Sequence, residues 1–102
     1  MNKFGLRDED VSVIVNQIKK FAQIHKVVIY GSRANGKYKN GSDIDFTLFG
    51  NNLNYSTLID FSLALDELFL PYQFDISIFN FISNQELINH ILNVGQVFYV
   101  KQ

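Results

Sequence analysis

The stretch "VVIYGSRANGKYKNGSDIDFTLFG", residues 27 to 50, decides how this chain is read. A run with strand composition enters Gly31-Ser32, passes through about ten polar residues and re-enters a strand at residues 43 to 49. Successive strand side chains point to opposite faces, so Asp43 and Asp45 share one face while Ile44, Phe46 and Leu48 take the other. Two carboxylates placed this way repel each other, and a bound cation relieves the cost. The pattern marks a strand edge built to hold something.

Working outward, residues 73 to 79, "QFDISIF", form a further predicted strand in which Asp75 alternates against Phe74 and Ile76. Between the two lies "YSTLIDFSLALDELFL", helical in spacing and stopped by Pro71. A helical crossover implies a parallel pair, whose starts lie at one edge of the sheet. The connection before Asp43 is too short for such a crossover, so the strand of residues 27 to 30 runs antiparallel and delivers Gly31-Ser32 to that same edge. A Gly-Ser turn and three aspartates are thereby brought together. At the N-terminal side, Asp8 is the expected N-cap of an amphipathic helix reaching about residue 24, with Val11, Ile14, Val15, Ile18, Phe21 and Ala22 as its apolar positions. The last helix is expected to open on a Ser83/Glu86 capping box and to end near Gly95, with "VFYV" as a terminal strand.

The chemistry of this grouping suits Mg2+, a hard cation that takes oxygen ligands and keeps positions open for substrate phosphates. Gly31 lets the backbone approach a phosphate, Ser32 adds a hydroxyl and an N–H, and "SRANG" can form a short helix with its positive end toward the anion. Arg33 is a further candidate for contact with that anion, or it caps the loop surface. Two metal ions held by Asp43, Asp45 and Asp75 can stabilise the attacking and leaving oxygens of an in-line displacement at phosphorus. Lys37 and Lys39 read as solvated loop charges, and neither His25 nor His90 is placed beside Ser32 by its position in the sequence.

The 102 residues fit one domain, 1–102, and a net charge of -1 gives no footprint for direct nucleic-acid binding. With no cysteine there is no disulfide, thiolate zinc site or thiol nucleophile. The charged start "MNKFGLRDED" and the lack of a long apolar run exclude signal-peptide and membrane-span readings, and the expected location is cytoplasmic.

In "GSRANG" followed by "SDID" and then "FDISIF", the chain resembles the minimal nucleotidyltransferase (MNT) family of the DNA polymerase β superfamily, over nearly its whole length. The resemblance implies an α+β, two-layer polymerase β-like fold, with a small mixed sheet, helices packed on one face and the active site on the other. It implies Mg2+-dependent transfer of a nucleotidyl group, usually AMP from ATP, to a hydroxyl with release of pyrophosphate. Asp43, Asp45 and Asp75 then carry the metals and the chemistry, and Gly31, Ser32 and Arg33 bind the nucleotide. Small members of the family pair with HEPN-domain toxins, and in several MntA-like pairs the antitoxin adds AMP to a tyrosine of the toxin. Two alternatives stay open: an antitoxin that silences its partner by complex formation alone, and transfer to a small molecule such as an antibiotic, for which larger relatives use an additional domain. Assembly as a hetero-oligomer or a homodimer is likewise open. On the helix of residues 55 to 70, Leu58, Phe61, Leu65, Leu68 and Phe69 form the expected core stripe; Ile59, Leu63 and Leu70 form a second stripe, either core or partner surface.

Overall fold

A computed structural model describes residues 2–102. Three charged residues, Asp8, Glu9 and Asp10, stand in the first turn of α1 (Asp8–Ile18), where the helix dipole favours them. Arg7, not Asp8, occupies the N-cap position, and the helix ends at Ile18, well short of residue 24. Residues 19 to 23 form a turn instead, and β1 spans Ile24–Tyr30, with Ile24 and Lys26 held opposite Gly50 and Phe49 of the next strand. Ladder pairing outweighs the helical spacing of this segment, and His25 accordingly lies in a strand. Phe21 still reaches the core from the connecting turn, edge-on to Phe61 at 5.3 Å, whereas Ala22 is exposed.

After β1 come the single-turn α2 (Ser32–Asn35), β2 (Ile44–Gly50), α3 (Tyr55–Asp66), β3 (Phe74–Ile78), a 3-10 turn at Phe79–Phe81, α4 (Gln85–Val94) and β4 (Gln96–Val100). The sheet order is β3-β2-β1-β4, with β2 and β3 parallel and the other pairs antiparallel. The α+β class and small mixed sheet are those the sequence implies.

Period-2 alternation gives the sheet two distinct faces. Val27, Ile29, Ile44, Phe46 and Leu48 join Ile14 and Ile18 of α1 and Phe61 and Leu65 of α3 in the main core. On the opposite face Val28 and Tyr30 pack against Ile91 of α4, with Phe49, Phe79, Ile82 and Leu87 around them. The expectation of helices on one face thus holds for α1 and α3, while α4 covers part of the face that carries the aspartates.

Two helix ends differ from expectation. Asn84, not Ser83, caps α4, accepting a hydrogen bond from the Leu87 N–H at 3.1 Å, and Glu86 sits in the first turn without closing a capping box. In α3 the helix stops at Asp66, and Phe69 adopts a positive φ of 52° that turns the chain. Beyond that point a helical projection no longer applies: Phe69, expected in the core stripe, is 90% exposed, while Leu70 takes the core alternative and parts from Ile59 and Leu63. Ile59 and Leu63, at 58% and 54% exposure, lie on the outer surface with Tyr55.

Candidate active site

The geometry begins with register. Tyr30, Asp45 and Asp75 stand opposite one another across β1, β2 and β3, and Thr47 and Ser77 form the next row on the same face. Ser77 donates to Thr47 Oγ1 at 3.0 Å, fixing that row beneath the carboxylates. Asp43, expected as the first residue of the strand, immediately precedes β2 and is exposed, as is Asp75 on the edge strand. Asp45 is half-buried between them.

Burial, followed by the charges of Asp75 and then Asp43, pushes the Asp45 carboxyl up to about 6, with His90 pulling the other way. Tyr30 is also raised, chiefly by burial and further by Asp75 and Asp45. Asp43 and Asp75 thus lie near enough to Asp45 for their charges to act on it. Among the described residues no group of three or more His, Cys, Asp or Glu side chains is arranged to hold a metal ion as the structure stands. An open set of carboxylates is nonetheless the donor chemistry that suits Mg2+, which is commonly held by one or two carboxylates together with substrate phosphates.

Gly31 bridges strand and helix with φ 73° and ψ -154°, a conformation that disfavours residues with a side chain. Any Cβ there would also collide with the Asp45 carboxylate, so Gly31 permits the turn and the carboxylate to touch. Ser32 follows as the first residue of α2. The Gly31 N–H donates to His90 Nε2 at 3.1 Å, and the His90 ring stands edge-on to Tyr30 at 6.1 Å. His90 and Tyr30 therefore belong to the site, though sequence reasoning passed over both. The signal for His90 was slight: it flanks the Leu87/Ile91 side of a helix whose docking face becomes known only from the fold.

Arg33 is the correction among the site residues. Its side chain is 1% exposed and turned inward, Nε donating to Ser42 O at 3.0 Å and Nη1 to Phe4 O at 3.0 Å. Arg33 thus ties the N-terminal segment to the loop leading into Asp43 and does not face the aspartates. A cavity of about 560 Å³ lies at the far end of the sheet, around His25, Lys26, Phe49 and Gly50, and is remote from this chemistry.

Clustered carboxylates beside a tight Gly-Ser turn, at the edge of a small mixed sheet, define a protein of the nucleotidyl-transfer class. The family model "Polymerase beta, Nucleotidyltransferase" matches residues 12–102, and the chain belongs to that family. Among solved structures, the chain resembles one described as a toxin-antitoxin with AMP-PNP (TM-score 0.73, 15% identity, 90% of this chain and 74% of that one). It also resembles one described as a tri-AMPylated Shewanella oneidensis HEPN toxin in complex with MNT antitoxin (TM-score 0.69, 12% identity, 95% and 75% covered). A putative nucleotidyltransferase from Sulfolobus solfataricus is a more distant likeness (TM-score 0.50, 18% identity, 89% and 77%). No curated protein matches the sequence.

Proposed function

We propose that this nucleotidyltransferase moves AMP from ATP to a hydroxyl, a tyrosine of a HEPN-domain partner, and acts as the antitoxin of that pair. The observation that carries the reading is the row of Asp45 opposite Asp75 against the Gly31-Ser32 turn, in a chain of this family. The toxin-antitoxin structures it resembles, one with AMP-PNP and one with an AMPylated toxin, favour this substrate and partner.

In this reading Gly31 and Ser32 hold the triphosphate, and Asp43, Asp45 and Asp75 hold Mg2+. When bound, the metal neutralises the phosphates and lowers the pKa of the acceptor hydroxyl. The acceptor oxygen bonds to the α-phosphorus, the bond from that phosphorus to the bridging oxygen breaks, and pyrophosphate leaves with the electron pair. Asp75, exposed on the edge strand, takes the acceptor's proton. His90 holds the Gly31 amide and so fixes the turn against which the phosphates rest.

Intact-mass spectrometry of the partner, after incubation with this protein, ATP and Mg2+, tests the reading. Wild type should add one or more AMP units, and Asp75→Asn should slow the addition at least ~100-fold, about 2.7 kcal/mol in barrier, with a smaller loss of ATP affinity. An unchanged partner mass, with toxicity suppressed equally by wild type and Asp75→Asn, would replace catalysis with silencing by complex formation alone.

A further inference from the structure

The guanidinium of Arg33 has no carboxylate within ion-pair distance among the described residues, although it is almost wholly buried. Its Nε and Nη1 are taken by backbone carbonyls, and its Cζ lies over the rings of Tyr38 and Tyr72, 5.4 Å and 5.2 Å from their centres. Nη2 has no hydrogen-bond partner among the described residues. Every side-chain nitrogen or oxygen fully shut off from solvent does have one, so Nη2 retains an opening. That opening is a cavity of about 280 Å³ lined by Arg33, Arg7, Lys39, Tyr38, Tyr72 and Gly5, among others. Asp10 is the nearby carboxylate, but it is buried and already bound by Arg7 at 3.0 and 3.1 Å and by the Tyr72 hydroxyl at 2.8 Å. Arg33 and Lys39 are left as uncompensated positive charges facing one small space.

A buried cation balanced only by carbonyl dipoles and ring faces is expensive, and an anion supplies what is missing. We propose that this cavity binds a phosphate-class oxyanion, at a place separate from the aspartates. Two uncompensated cationic groups, Arg33 and Lys39, suit a dianion better than a single carboxylate. Both tyrosine rings already present a face to Arg33, which leaves no free platform for a base and argues against a whole nucleotide. The position has a mechanical consequence. Arg33 holds the Ser42 carbonyl, and the Lys39 N–H donates to Ser42 Oγ at 2.8 Å, so an oxyanion joining Lys39 to Arg33 fastens the loop that delivers Asp43.

The test is a set of nitrogen–proton correlation spectra of the full chain in EDTA, titrated with sodium phosphate, with O-phosphoserine, and with sodium acetate and sodium chloride at matched pH and ionic strength. Without metal the aspartates repel anions, so the two sites report separately. Saturable movement of the Arg33 Nε–H and of the Lys39 and Asn40 amides by inorganic phosphate supports a site for the free anion. The same movement by O-phosphoserine alone supports a site for a phosphate monoester. Lys39→Ala, an exposed loop change that leaves Arg33 in place, should weaken the binding at least about fivefold. The proposal is overturned if acetate or chloride moves the same resonances equally, if Lys39→Ala binds as wild type does, or if neither phosphate compound moves them.

Discussion

A carboxylate at position 45 is costly without a cation, and the cost has a pH signature. Asp45 stands near 6 in the folded chain against 3.8 for an ordinary aspartate, so between these values the folded state keeps a proton that the unfolded state has lost. Stability therefore falls as pH rises through this window. Asp10, lowered by its hydrogen bond to Arg7, has the opposite sign but acts below the ordinary aspartate range. In EDTA, Asp45→Asn should melt above wild type at pH 7.5, with the gap closing near pH 4. Since Asp45 is half in water, screening reduces the gain to the order of 1 kcal/mol, or about 4–8 °C for a domain of this size. Thermal melts at the two pH values check it, and a gap that persists at pH 4 would assign the gain to something other than charge. Asp43, Asp45, Asp75 and Gly31 could be read in the sequence because alternation and chain reversal bring them together through backbone geometry alone. Arg33 could not. Its place depends on carbonyls of Phe4 and Ser42 presented by segments with no periodic signal.

At the scale of the element, the structure moves the cap of α4 from Ser83, expected from the sequence, to its neighbour Asn84. Asn84 accepts the Leu87 N–H, so Asn84→Ala should cost about 1 kcal/mol, while Ser83→Ala should stay within about 0.5 kcal/mol. Urea denaturation of the two variants distinguishes them, and equal losses would return the cap to Ser83. Helices and strands were legible in type and order, yet their ends were not. β1 gained Ile24, His25 and Lys26 from pairing with β2 and β4, and α3 lost its last turn to the positive φ at Phe69. Both effects are set by neighbours distant in the chain or by one backbone angle, neither of which periodicity records.

For the whole molecule, the outer face of α3, with Tyr55, Ile59 and Leu63 exposed, is one apolar surface that the fold leaves uncovered. If the partner seats there, Leu63→Glu should abolish co-purification with a HEPN protein while leaving the melting temperature of the isolated domain within about 3 °C of wild type, since Leu63 is 54% exposed. Leu70→Glu, placed against the core, should instead lower that temperature sharply. Pull-down and melting of both variants decide the matter; retention of the partner by Leu63→Glu would move the interface elsewhere. No helix among the described residues is long and apolar enough to cross a membrane. The bond from Gly31 to His90 joins residues 59 positions apart and ties the turn to α4. The β1–β2 pair and the crossover to β3 can form from earlier parts of the chain, but the turn that would grip phosphate stays unheld until α4 docks. Exchange of the Gly31 amide with solvent therefore times the undocking of α4 apart from the opening of the sheet.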